Sequence, residues 1–556
     1  MSTAPGSSPS CDNSPERAAS TAGGSRGVTA GLRTVSLLTV ASRVLGLVRD
    51  VAMAAVFGNG ALMDAFSVAF RVPGLARGMF GEGALTAAFL PAFLQERMHK
   101  GADAGWRLAS GVLAVLAVGL TLLVVAGELI VLLMWLGSTP GSDLRILLGL
   151  TAVLLPYLIL VCVVAQLNAV MYGLNHFWWP SLEPVLLNVV WIASLWLWVP
   201  FIESPTAKIY AVSVAIVASG FFQLAAPLST LRRLGYRYVS DWRLADGRLA
   251  EIGRAMFAVT IGLSVTQLNS LLDGLAAWGF TRPESAGTIP WLPGGLTYPL
   301  DPGTASALYF GARVYQFPLG VFGVALGTVL FPILSQHAAE YRMDKLREDL
   351  ARGLKLVLFI SVPASAGLVV LARPLTILLF QHGTFDDEAV RQTTDMVRMF
   401  GCAVWAYCAL LIVHRGFYAV GDRRSPLLMS LVGMAINLTL DVTLIWPMGG
   451  GGLALATAVS SIVQCGLVLW VFELRVGRLD WRALRRSCLQ TGTATAAMTI
   501  VCLIALSCCP TGHSWAARLC RVGAPVGASL ATYFGLARAF HMDEIGLLFR
   551  WHRPAS

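Results

Sequence analysis

Apolar residues in this chain come in separated runs of about 20 residues or more, and at about 1.5 Å per residue each run can cross a hydrocarbon layer of roughly 30 Å. Fourteen such runs can be placed, near 32–57, 64–94, 106–137, 146–173, 179–200, 207–231, 252–280, 304–335, 354–380, 393–419, 426–447, 451–474, 486–509 and 516–540. The expected fold is therefore an all-α polytopic membrane protein with about fourteen transmembrane helices. Composition agrees: 56% of the residues are hydrophobic, 13% are charged and the mean hydropathy is +0.68, which a soluble core of this length could not absorb. Residues 1–27 are rich in Ser, Gly, Ala and Pro and have no apolar stretch, so they read as a disordered tail and not as a cleaved signal.

Orientation follows from the basic residues. The tail, every second loop and the C-terminus hold roughly 27 Lys and Arg, and the opposite loops roughly 6. Both termini are thus expected in the cytoplasm. The net charge of +10 is explained by loops facing anionic headgroups, without nucleic acid. The cysteines, among them Cys162, Cys402, Cys408, Cys465 and Cys502, fall inside apolar runs and read as small buried hydrophobes. No CxxC, HExxH, GxSxG or Walker A pattern is present, so the chain is not expected to be an enzyme.

Two internal echoes suggest duplication. Gly83-Ala84-Leu85 with Pro91 and Gln95 recurs as Val324-Ala325-Leu326 with Pro332 and Gln336, and Tyr172 with Pro180 recurs as Tyr418 with Pro426. The offsets nearly agree, at about 241 and about 246 residues. Either these are chance matches among apolar helices, or two six-helix lobes are related by a pseudo-two-fold axis along the membrane normal, with two C-terminal helices added. The second reading divides the chain into the tail 1–27, an N-lobe 28–233, a C-lobe 234–475 with an insertion near 281–303, and a C-terminal pair 476–556.

Ionisable groups inside a span cost at least about 2.5 to 3.5 kcal/mol each, so those that occur mark function. The first span holds Arg43 and Arg49, about 120° apart around the helix and about 9 Å along it, followed by Asp50. The second begins with Asp64 and contains Arg71, Arg77 and Glu82; the eighth contains Arg313. Bidentate, permanently charged guanidinium groups suit a diphosphate, although Arg43 and Arg71 also sit where a side chain can snorkel to the interface. In the eleventh span Asn437 and Asp441 share one helix face, with Thr457 on the next span and Asp273 on the seventh. That set fits either a coupling-ion site, with oxygens suited to sodium, or ordinary interhelical hydrogen bonding.

The ordered motifs Ser42-Arg43-Val44-Leu45-Gly46 to Arg49-Asp50, Phe57-Gly58, Asp64-Ala65-Phe66, Ala69-Phe70-Arg71-Val72-Pro73 and Glu82-Gly83-Ala84 resemble the N-terminal signature of the MurJ (MviN) lipid II flippases. These belong to the multidrug/oligosaccharidyl-lipid/polysaccharide exporter superfamily. Phe317-Pro318, Gly323 to Thr328, Leu379 to Gly383 and Gly416-Phe417-Tyr418 through Asp422 to Pro426 extend the resemblance over about 30–540. It implies a transporter of the inner membrane that moves a polyprenyl-diphosphate-linked peptidoglycan precursor outward by alternating access. It further implies that Arg43, Arg49, Asp50, Arg77 and Arg313 serve substrate binding and that Asp64 and Glu82 serve the cavity and its gating. A sodium ion would be held by Asp273, Asn437, Asp441 and Thr457 with the Leu453 carbonyl, and the last two spans would line a groove for the lipid tail. The implied partners are lipid II and membrane lipids, with the chain working as a monomer near peptidoglycan synthesis enzymes. Departures are Ala312, Gln316 and Gly74, where some members carry two acids and an asparagine. The alternatives are an exporter of another lipid-linked oligosaccharide, of O-antigen type, or of a drug. An arginine-rich pair of spans disfavours the drug.

Overall fold

The computed structural model describes residues 15–79, 85–239, 246–283, 287–289, 295–510, 512 and 514–550. The first group of helices is α1 (Pro15–Phe57), α2 (Ala61–Ala76), α3 (Leu85–Lys100), α4 (Ala102–Gly137), α5 (Asp143–Gly173), α6 (Trp178–Leu197) and α7 (Pro205–Arg233). Next comes α8 (Asp246–Gly279), and a second group follows: α9 (Thr304–Pro318), a π-helical segment (Leu319–Val324), α10 (Ala325–Ala339), α11 (Met343–Phe380), α12 (Asp387–Gly401), α13 (Val404–Ala419), α14 (Arg424–Met448) and α15 (Gly450–Arg475). The chain ends with α16 (Trp481–Cys508), α17 (Trp515–Ala539) and α18 (Asp543–Arg550). Several helices open on a side-chain cap where the sequence offers Ser or Asp: Ser142 accepts from the Arg145 N–H and Asp386 from the Ala389 N–H.

Within the first group α5 packs against α2, α4 and α7, and α1 against α6; within the second, α11 packs against α12 and α13, and α14 against α15. α8 touches both groups, through α2 and α3 on one side and α9 and α14 on the other. The hairpin of α16 and α17 lies on α11, where the Tyr533 hydroxyl donates to the Phe359 carbonyl at 2.6 Å.

The two groups repeat the same plan. α5 ends at Gly173 and α6 starts at Trp178; α13 ends at Ala419 and α14 starts at Arg424, the offset already seen between the Tyr-Pro pairs. A wide π turn covers 77–79 at the end of α2, and the π segment Leu319–Val324 occupies the matching place after α9. The echo read from sequence therefore has a structural counterpart in helix ends and in helix irregularities.

Among the described residues nine helices are long and apolar enough to cross a membrane, or ten if α12 and α13, bent by 44° at their junction, form one span. The other four expected spans coincide with α1, α2 followed by α3, α8 and α17, which are shorter or more polar. Two details differ from expectation. α1 begins at Pro15, inside the stretch read as a tail, because proline is well suited to a first helical position. Cys402 is exposed and not buried, since it sits at the break between α12 and α13, and Cys488, Cys508 and Cys520, on α16 and α17, are exposed as well. In the insertion, isolated bridges join Thr281 to Leu300 and Thr288 to Thr297 and bring its two arms together.

One end of the bundle is closed by backbone contact between the groups. The Thr384 N–H and hydroxyl donate to the Ala55 carbonyl at 3.0 and 3.2 Å, and Gly383, at φ +60°, lies so close that a Cβ would collide with that same oxygen. Gly383→Ala combines a left-handed backbone with this clash and is expected to cost at least about 1 kcal/mol. A lowered thermal midpoint of the detergent-solubilised protein, with no change for Gly367→Ala in open space on α11, is the check.

Candidate functional site

Between the two groups lies a cavity of about 480 Å³ lined by five arginines, Arg43, Arg49, Arg71, Arg77 and Arg313, and among the described residues by no carboxylate. Each arginine is placed by an element the sequence dictates. Arg43 and Arg49 project from α1, Arg71 from α2 and Arg77 from the π turn that follows it, and Arg313 from α9. Gly320, in the π segment, leaves room for Arg43, whose guanidinium a Cβ there would strike.

The guanidinium of Arg49 uses three of its five N–H groups within the protein. It donates to Asp50 Oδ1 from Nε at 2.9 Å and from Nη2 at 2.7 Å, donates to Asn188 Oδ1 from Nη1 at 3.0 Å, and lies 4.4 Å over the Trp191 ring. Such a desolvated cation–π contact is worth about 2 kcal/mol. Asp50 also receives the Tyr309 hydroxyl at 3.0 Å and pairs with Arg313 at 3.3 Å, so one buried carboxylate serves an arginine from each group. Arg313 in turn lies 4.6 Å over the Tyr309 ring and donates to Gln316 at 3.1 Å.

Asp64 is 1% exposed and does not line this cavity. It sits at the N-terminus of α9, accepting the Gly303 N–H at 2.7 Å on Oδ2, and the Ser306 N–H and hydroxyl on Oδ1, each at 2.7 Å. A carboxylate there answers both the orphan amides and the positive end of the helix dipole. Asn59 adds a bond to Gln392 at 2.8 Å at the same closed end. Glu82 lies outside the described residues.

The acidic set is also assembled. Asn437 Nδ2 donates to Asp273 Oδ1 at 2.8 Å and to Asp441 Oδ2 at 2.9 Å; Thr457 donates to Asp273 Oδ2 at 3.3 Å and to the Leu453 carbonyl at 3.1 Å; Ser460 donates to Asn437 Oδ1 at 3.1 Å. Asp441 Oδ1 is buried with no hydrogen-bond partner. Two carboxylates on one amide, one oxygen unmet, suit a small hard cation. Asp273 faces a second chamber of about 310 Å³ that shares Arg71, Ser270, Ala312 and Gln316 with the arginine cavity; hydroxyls, amides and His414 line it together with apolar side chains such as Leu308, Phe400 and Met434.

Every described residue singled out in sequence thus falls in one of three neighbouring places. Arg71, left between interface and cavity by sequence alone, points inward and donates to the Ser270 carbonyl. Asn188, Trp191, Tyr309 and Ser306 were missed. They are neutral side chains whose importance comes only from what they meet more than one hundred residues away.

An all-helical membrane bundle of two like groups around a cationic cavity defines a transporter. The profile described as "Lipid II flippase MurJ" matches residues 53–517, and the chain belongs to that family. It is 30% identical over 447 residues to a protein of Vibrio cholerae named probable lipid II flippase MurJ, covering 78% of this chain and 81% of that one. It is 27% identical over 442 residues to the lipid II flippase MurJ of Burkholderia cenocepacia, covering 78% and 81%. A solved lipid II flippase MurJ in an inward closed conformation superposes with a TM-score of 0.75 at 21% identity, covering 92% of this chain and 99% of that one. A multidrug resistance transporter of the MATE family and MOP superfamily, inward-facing, shares the fold at a TM-score of 0.61 and 12% identity, covering 80% and 96%. The chain is accordingly a transporter and not an enzyme.

Replacing Asp64 by Asn leaves one acceptor oxygen where two serve three donors, at a cost of about 1.5 to 3 kcal/mol. In a background with the native cysteines changed to serine, cross-linking between Asn59→Cys and Gln392→Cys is expected to fall severalfold when Asp64→Asn is added. Unchanged cross-linking would show that Asp64 does not hold this end shut.

Proposed function

We propose that this chain carries lipid II, an undecaprenyl-diphosphate-linked disaccharide-peptide, from the cytoplasmic to the periplasmic leaflet by alternating access. The observation that supports it most directly is the cavity with five arginines and no carboxylate among its described lining residues. A diphosphate entering it gains charge-assisted, bidentate bonds that replace its lost hydration. Arg43, Arg49, Arg77 and Arg313 bind it, joined by Arg71. The adjoining chamber takes the part of the headgroup next to the diphosphate on its hydroxyls, amides and the otherwise unpartnered His414 Nε2. The lipid tail remains outside, along a fissure of about 350 Å³ that opens beside Arg43, Arg49 and Arg313 and is walled by Phe317, Leu368, Leu375 and Leu379.

In this reading the closed end at Asp64 is the periplasmic gate, and both termini are cytoplasmic. Anion binding draws Arg49 and Arg313 away from Asp50. That weakens one of the polar ties between α9 and the first group, the others being at the α9 N-terminus, where Asp64 and Asn59 meet Ser306, and the gate opens. Sodium held by Asp273, Asn437, Asp441, Thr457 and the Leu453 carbonyl would neutralise the paired carboxylates and bias the cycle. The membrane potential is the alternative drive, worth about 2.3 kcal/mol per charge per 100 mV. The chain acts as a monomer close to the enzymes that consume its product.

Proteoliposomes carrying labelled lipid II test the anion cavity. Arg49→Glu is expected to abolish flipping and Arg77→Ala to lower it at least tenfold, the equivalent of losing a charged hydrogen bond of about 1.5 kcal/mol. Full flipping by correctly inserted Arg49→Glu protein would sink the assignment. For the ion, sodium but not potassium should raise the thermal midpoint of the wild type, and Asp441→Asn should remove that rise; a wild type indifferent to sodium leaves the potential as the drive.

A further inference from the structure

On the side of α16 away from transport chemistry, α11, α13, α15 and α16 enclose a crevice of about 610 Å³. Its depth is apolar, with Leu354 and Leu358 from α11, Ala409 from α13 and Leu469 from α15. Its mouth carries Trp481, Arg482 and Arg485 from the first turns of α16. No wall comes from α1, α9 or α17, so it is separate from the fissure beside Arg43.

A polar hollow of about 400 Å³ adjoins it, bordered by Lys355, one residue beyond Leu354, and by Arg478, three residues before Trp481. The acids here are already engaged. Asp344 pairs with Arg347, Glu348 pairs with Arg352, and Asp480 caps α16 by accepting the N–H groups of Arg482 and Ala483 at 3.1 Å each. Lys355, Arg478, Arg482 and Arg485 have no carboxylate partner among the described residues. Four cations without an ion-pair partner among the described residues therefore surround the entrance of an apolar slot, against one further acid, Glu473, which accepts from the Trp481 Nε1–H at 2.5 Å and the Leu479 N–H at 3.0 Å; that tryptophan stands where such rings mark the headgroup layer.

We propose that this crevice binds an anionic phospholipid of the leaflet at the basic end of the bundle. One acyl chain lies between α11, α13, α15 and α16, and the phosphate rests on Arg482 and Arg485 with Lys355 and Arg478 beside it. Charge complementarity selects the headgroup, and the enclosed apolar depth requires an amphiphile and not a free anion. The bound lipid fastens α16 to the second helix group. This inference stands whether or not the transport reading holds.

The test is thermal unfolding of the purified full-length protein in a neutral detergent, with added phosphatidylglycerol, phosphatidylcholine, inorganic phosphate or a polyprenyl diphosphate. Phosphatidylglycerol is expected to raise the midpoint saturably by several degrees, and phosphatidylcholine and phosphate are not. The rise should be lost in Arg482→Gln/Arg485→Gln, which touches only exposed side chains, and in Leu469→Trp, which fills the slot and keeps the charges. Arg145→Gln, at the far end over Trp135, should keep it. Equal stabilisation by phosphatidylcholine or phosphate, or a phosphatidylglycerol effect that survives the double variant, overturns the proposal. Competition by the polyprenyl diphosphate for the same rise overturns it too, by assigning the crevice to the substrate tail.

Discussion

Asp50 carries the negative charge that the two helix groups share at the cationic centre. A guanidinium within a membrane span is tolerated only when its charge is shared, and Asp50 shares it with Arg49 on its own helix and with Arg313 from the other group, while Tyr309 holds the carboxylate from above. Five arginines face the cavity, no carboxylate does so among the described residues, and Asp50 is buried behind Arg49 and Arg313. The net positive field that remains is what makes the space selective for anions.

That same carboxylate ties chemistry to shape. α9 is fastened to the first helix group through Asp50 in its second turn and through Asp64 at its first amides. Both attachments are made to groups whose competing partner would be an anion or water. A ligand that binds the arginines therefore acts on the element that closes the bundle, with no need for a long relay through packed side chains.

Much of this was legible in the chain before any coordinates. Arg49, Arg77 and Arg313 stand out because charge in an apolar run is costly, and Asn437 with Asp441 because helical spacing puts them on one face. The two-group plan showed in the Tyr-Pro echo. What sequence could not show was pairing across distance. Asp64 reads as an ordinary acid at a span entrance until Gly303 and Ser306, about 240 positions later, arrive with their amides. Asn188 and Trp191 are neutral residues in a hydrophobic helix and acquire meaning only from Arg49. The same chemistry marks part of the span count: α1, α2 and α8, which carry Arg43, Arg49, Arg71 and Asp273, fall short of a membrane segment, whereas the helices of Arg313 and Asp441 qualify.

The paired π turns after α2 and α9 have a mechanical meaning. A π turn adds a residue to one coil of a helix, so every side chain beyond it is rotated by about 100° relative to the helix before it. In the second half α9, the π segment and α10 run on from one another, so that rod presents different faces at its two ends. The extra residue stands at corresponding places in both halves, although the side chains around it differ. What the two halves share is a phase shift in the backbone, and the cavity arginines are distributed unevenly around it, four from the first group and Arg313 from the second.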